Sequence, residues 1–170
     1  MRELVAHIRG LALFAAGIVV GTLVIPSNAA QQNVDTGLRL NHVGIAVNDF
    51  QESVDFYTKV MGFRKAFGGS TPDGKPSTIY LQISRDTFLE VAPATDKLPA
   101  GITHIGIQAE DAEATVARLR QRGANVTDAR VVPVLSKSKL ANVTDPNGIR
   151  LELNELIPGS LIRQAVESWK

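Results

Sequence analysis

The sequence predicts an α+β domain made of two βαβββ modules whose strands join in one mixed sheet, with helices on its outer face. Three observations carry that prediction. Leu40–Asp49 (LNHVGIAVND) returns sixty-two positions later as Ile102–Asp111 (ITHIGIQAED), so that His42, Gly44, Ile45 and Asp49 meet His104, Gly106, Ile107 and Asp111. In each copy a run with two-residue alternation gives way to a run with the period of a helix. Three short strand-like stretches separated by turn residues follow each helix.

Residues 40–47 alternate apolar and polar or small, as a half-buried strand does. In the first helix Phe50, Val54, Tyr57 and Met61 share one face, with Asn48 or Asp49 as its cap and Gly62 at its C-terminal end. Strands are expected at Phe63–Phe67, Thr78–Ile83 and Thr87–Ala92, and the stretch Gly68–Gly74 is loop by composition. The second half repeats the plan. Ala112, Val116, Leu119 and Gly123 follow the cap Asp111, and strands are expected at Asn125–Val132, Lys139–Thr144 and Ile149–Asn154 around an Asp145-Pro-Asn-Gly turn. The domain is thus expected over 40–156, as modules 40–95 and 101–156. A C-terminal helix over 157–170 places Leu161, Ile162, Ala165, Val166 and Trp169 on one face.

The N-terminal segment reads differently. Residues 10–25 carry no charge, Arg2 and Arg9 precede them, and small residues follow in Ser27-Asn28-Ala29-Ala30. This is the layout of a secretory signal, with an uncleaved membrane anchor as the alternative. The chain is accordingly expected to be exported to the periplasm or secreted, or held at the membrane by residues 10–25. Residues 31–39 read as a linker.

Composition narrows the chemistry. The 170 residues suit one domain, and 18 Lys+Arg against 17 Asp+Glu leave a formal net charge of +1. Without residues 1–30 both counts are 16, so nothing marks a nucleic-acid partner. The absence of cysteine excludes thiolate metal sites, disulfides and Cys nucleophiles.

Alternation assigns the faces. Val43, Ile45 and Val47 share one side of the first strand, Ile105 and Ile107 one side of the fifth, and Leu89, Val91, Leu151 and Leu153 one side of the last strands. These sides face the helices. The opposite side carries His42, Glu90, His104 and Glu152, with Gly44 and Gly106 beside the histidines, where they are expected to leave room for a ligand. Each His stands forty-eight positions before its Glu. Two imidazoles and two carboxylates converging on one hollow suit a single divalent ion, such as Zn, Ni, Co, Mn or Fe(II). Tyr80, Gln82, Asn142, Thr144 and Arg150 share this face as candidate substrate contacts, and Arg150 is suited to an anionic group.

The chain resembles the vicinal oxygen chelate superfamily, which includes glyoxalase I, methylmalonyl-CoA epimerase, extradiol dioxygenases and bleomycin-resistance proteins. The resemblance covers about Leu40 to Asn154. It rests on Asn41-His-Val-Gly-Ile-Ala-Val, on Phe56-Tyr57 with Met61-Gly62-Phe63, and on Thr144-Asp-Pro-Asn-Gly-Ile-Arg-Leu-Glu-Leu. It implies a cup-shaped sheet with one site. It also implies that His42, Glu90, His104 and Glu152 match the metal ligands of the glyoxalase I pattern, and that the chain can form a homodimer. The reaction implied is lyase or isomerase chemistry on a small substrate with vicinal oxygens. A metal-stabilised enediolate forms as a proton leaves, and Glu152 or Glu90 is the base. The alternatives are an Fe(II)-dependent extradiol-type dioxygenase using His42, His104 and Glu152, and a non-catalytic small-molecule binder. Export separates the chain from the mainly cytosolic glutathione pool, which argues against a glutathione conjugate as substrate.

Overall fold

The computed structural model describes residues 36–170. The expected signal or anchor, and residues 31–35 of the expected linker, lie outside the described residues. Within them, no helix is long and apolar enough to cross a membrane.

The first half runs β1 (Arg39–Val47), α1 (Phe50–Asp55), β2 (Arg64–Ser70), β3 (Pro76–Ser84) and β4 (Thr87–Pro93). The second runs β5 (Gly101–Gln108), α2 (Ala112–Gln121), β6 (Asn125–Val126), β7 (Arg130–Val131), β8 (Lys139–Thr144) and β9 (Arg150–Glu155), and α3 (Leu161–Glu167) closes the chain. The nine strands of the described residues form one mixed, cupped sheet in the order β2-β3-β4-β1-β5-β9-β8-β6, with β7 beside β8. The antiparallel β1–β5 pair at its centre joins the halves, while β1–β4 and β5–β9 are parallel.

The helix ends follow local chemistry. Asp49 accepts the backbone N–H of Glu52 at 2.8 Å and Asp111 that of Ala114 at 2.9 Å, each satisfying an otherwise orphaned donor. Gly62 and Gly123 adopt φ of 77° and 84°, the left-handed conformation that stops a helix cheaply. The first helix winds into a π-helical turn at Phe56–Val60 before it ends.

Three apolar clusters hold the layers. Val43, Ile45, Val47, Leu81, Leu89 and Val91 pack against Phe50 and Tyr57 of the α1 segment. Ile107, Ala141, Val143, Leu151 and Leu153 pack against Val116 and Leu119 of α2. The third cluster shows where the C-terminal helix rests. Ile162 and Ala165 of α3 pack on Tyr80, Phe88, Ala66 and Phe67, the face of the first half that looks into the cup. Phe88 alternates with the outward Leu89 and has no polar group to offer the hollow, so its burial requires a cover on that side. The expected strand at 125–132 is two short pieces, and Gly68–Ser70 belong to β2, so the expected loop shrinks to the turn at 71–75.

Candidate metal centre

The centre is built on two bulges in the β1–β5 ladder. Leu40 pairs with Ile107 and His42 with Gly106, which leaves Asn41 as an extra residue on β1. Gly44 pairs with His104 and Ile45 with Ile102, which leaves Thr103 as an extra residue on β5. A bulge breaks the strict alternation of faces and turns its residue toward the next side chain. Asn41 Oδ1 accordingly lies 2.9 Å from His42 Nδ1, and Thr103 Oγ1 lies 2.9 Å from His104 Nδ1. Neither residue was expected in the site. Their sequence signal is a polar residue directly before each histidine of the repeated motif.

The pairing also gives the glycines their role. A Cβ on Gly106 would lie 2.1 Å from Cε1 and Nδ1 of His42, and one on Gly44 2.1 Å from Cε1 of His104. Each imidazole lies across the other strand's glycine. The space expected for a ligand is occupied by the histidine rings, and this close approach aims both rings at one point.

All four expected ligands converge there. His42 Nε2 and His104 Nε2 are 2.9 Å apart. His42 Nε2 lies 3.5 Å from Glu90 Oε2 and 3.6 Å from Glu152 Oε1, and His104 Nε2 lies 3.4 Å from Glu90 Oε2. His42, His104 and Glu152 each offer an atom within 4.8 Å of the other two, and all three are buried. Two nitrogens bound at right angles to one ion, each at ~2.1 Å, stand ~3.0 Å apart. The donor set therefore fits a divalent ion in chemistry and in the separation of its nitrogens.

The carboxylates differ. Tyr80 donates its hydroxyl to Glu90 Oε2 at 2.6 Å. Burial pushes the Glu90 carboxyl up, but the neighbouring His104 and the Tyr80 hydroxyl outweigh it and hold the group below the usual carboxylate range. Burial and the charge of Glu90 lift Glu152 above that range, although His104 and Arg150 oppose them. No hydrogen-bond donor among the described residues reaches the Glu152 carboxylate. Burial also pushes His42 down to about 4, with its attraction to Glu90 opposing, so this imidazole is neutral and ready to bind metal at ordinary pH.

The remaining candidates divide. Tyr80 faces the centre through Glu90, and Arg150 Nη2 lies 2.8 Å from His104 Nδ1. Asn142 pairs with Glu152 across β8–β9 and has a buried, unpartnered Oδ1. Gln82 is used by the scaffold. Its amide accepts from Arg64 and donates to the carbonyls of Arg85 at 2.8 Å and Ala165 at 3.3 Å, which pins α3 to the sheet. Thr144 is exposed at the outer end of β8.

A family model, the glyoxalase/bleomycin resistance protein/dioxygenase superfamily, matches residues 39–153. The chain belongs to this superfamily. The superfamily domain here is 32% identical to the lactoylglutathione lyase of Escherichia coli O157:H7 over 125 residues, which span 69% of this chain and 93% of that protein. It is 31% identical to the lactoylglutathione lyase of Salmonella typhimurium over 126 residues, with the same shares covered. Among solved structures, methylmalonyl-CoA epimerase from Mycobacterium tuberculosis superposes with a TM-score of 0.59 at 24% identity, covering 70% of this chain and 88% of that one. A methylmalonyl-CoA epimerase in complex with methylmalonyl-CoA and NH4+ gives 0.60 at 22%, covering 72% and 96%. These structures share the superfamily fold.

Two predictions arise from the geometry. Replacing Asn41 by Leu removes the acceptor that fixes the His42 proton on Nδ1, and metal affinity is expected to fall about 10–100-fold. Zinc titration against a competing chelator measures it, and an unchanged affinity would remove Asn41 from the site. The second concerns acid. Unfolded His42 takes a proton near 6.5 and folded His42 near 4, so between those values the unfolded chain binds more protons and stability falls with falling pH. The loss in metal-free protein is about 3 kcal/mol between pH 6.5 and 4. Urea unfolding of wild type and His42→Gln at both ends of this range isolates the effect. Equal pH slopes for the two proteins would refute it.

Proposed function

We propose that the chain is a divalent-metal-dependent lyase or isomerase of the glyoxalase type, acting on a small substrate with oxygens on neighbouring carbons. The observation that carries this reading is the pair of histidine Nε2 atoms 2.9 Å apart, flanked by two carboxylates of opposite character. Similarity to lactoylglutathione lyases over most of their length supports it.

His42, His104, Glu152 and Glu90 would hold the ion. When bound, it supplies Lewis acidity that makes the carbon beside a carbonyl acidic. The protein's own residues do the rest. His42 and His104 are fixed by Asn41, Thr103 and the two glycines. Glu90 is anchored by Tyr80 and keeps its place. Glu152, buried and without a donor, is the carboxylate best placed to take a proton from substrate and return it to the neighbouring carbon. Asn142, beside Glu152, offers an amide to a substrate hydroxyl. We further propose that residues 10–25 direct the chain out of the cytoplasm, which cell fractionation tests.

The test follows deuterium wash-in from heavy water beside the carbonyl of α-hydroxycarbonyl compounds, hydroxyacetone and lactoylglutathione among them. Metal-dependent exchange on at least one supports the reading, and exchange on none contradicts it. A second reading rests on Glu90 being tied to Tyr80. His42, His104 and Glu152 alone form the two-His-one-carboxylate set of Fe(II) oxygenases. Iron-dependent oxygen uptake with a catechol would favour that reading.

A further inference from the structure

His104 Nδ1 has two partners with opposite consequences. Arg150 Nη2 stands 2.8 Å from it and Thr103 Oγ1 stands 2.9 Å from it. A guanidinium only donates, whereas a threonine hydroxyl donates or accepts. While Arg150 is in place Nδ1 must accept, and the neutral ring carries its proton on Nε2.

The rest of the chain of contacts obeys the same assignment. His104 Nε2–H donates to His42 Nε2 at 2.9 Å, and His42 Nδ1–H donates to Asn41 Oδ1 at 2.9 Å. The run from Arg150 through His104 and His42 to Asn41 thus has one consistent direction. In it His42 is the tautomer that binds metal through Nε2. His104 is the opposite tautomer, with a proton where the ion would be.

We propose that Arg150 and Thr103 compete for His104 Nδ1 and that the winner decides whether His104 can ligate. With Arg150 in place the centre is locked in a metal-free arrangement. With Arg150 withdrawn and an ion replacing the proton between the two rings, that proton shifts to Nδ1, Thr103 Oγ1 accepts it, and Nε2 ligates. The ring's proton count is the same in both arrangements. Arg150 is suited to such a movement. It is exposed at the start of β9, and no carboxylate of the described residues pairs with it. Among the described residues, Asn41 Oδ1 is the partner of His42 Nδ1. Arg150 is therefore a positioning residue that acts through His104, and the inference rests on reading the cluster as a metal centre.

The test uses full-length protein labelled with 15N in histidine and stripped of metal. Two-bond 15N–1H spectra distinguish Nδ1–H from Nε2–H rings, and single His→Gln variants assign them. Metal-free wild type is expected to show His104 as Nε2–H, and the zinc-loaded protein to show it as Nδ1–H with Thr103 as its acceptor. Arg150→Met is expected to bind zinc about tenfold more tightly, and Thr103→Val about tenfold more weakly. An Nδ1–H ring in metal-free wild type, or zinc binding that Arg150→Met does not tighten, overturns the proposal and leaves the metal centre standing. No zinc binding by any of the proteins overturns the metal centre itself, and the interlock with it.

Discussion

Gly106→Ala is expected to remove metal binding from a protein that still folds. The new methyl carbon would stand 2.1 Å from two atoms of the His42 ring, and that ring is fully buried between β1 and its neighbours. Such a contact is not relieved by small adjustments, so the imidazole must rotate off the glycine and lose both Asn41 and its aim at the centre. Overpacking of this kind costs about 1–3 kcal/mol of stability. Loss of a ligand's orientation costs far more in binding, and zinc affinity is expected to fall by at least about 100-fold. Circular dichroism and chelator-competition titration on the same sample separate the two effects. A variant that folds and binds zinc as wild type does would mean that the glycine is not the platform of His42. Gly44→Ala is expected to act alike through His104, whose ring Cε1 is also 2.1 Å from the added carbon.

Glu152→Gln is expected to keep about one equivalent of metal and to lose about 10²–10⁴ of turnover. The amide keeps an oxygen that can ligate and nearly the same shape, but it cannot accept a proton from carbon. Glu90→Gln is expected to lose about tenfold, because the amide oxygen still accepts from Tyr80 and the task at this position is to hold rather than to react. The ratio between the two variants is the informative quantity, read by deuterium wash-in at fixed metal occupancy. Equal losses, or a larger loss in Glu90→Gln, would move the base to Glu90.

The alternation of residues 42–47 and 104–107 is enough to assign which side chains look into the cup, because a strand leaves each residue only two directions. It places all four candidate ligands, and the structure brings them within hydrogen-bonding range or close to it. The same rule conceals Asn41 and Thr103. Strict alternation assigns them to the helix side, and only a bulge, which is a property of two strands in register, brings them beside the histidines. Gly44 and Gly106 were legible as small and inward-facing, but not what fills the space, since each answers to a ring on the other strand. Gln82 likewise lies on the expected face, yet α3 claims its amide, and nothing local in 78–83 announces a partner eighty-three positions away. The tail's apolar face was plain, whereas its resting place on Phe88 and Tyr80 depends on tertiary contacts.

The proposed function requires one divalent ion at His42, His104, Glu90 and Glu152. Elemental mass spectrometry of full-length protein, wild type beside His104→Ala, tests it most directly. About one equivalent of a divalent transition metal is expected in wild type, with nearly all of it lost in the variant. Wild-type protein that holds no metal after reconstitution, or His104→Ala protein that holds as much as wild type, would contradict it.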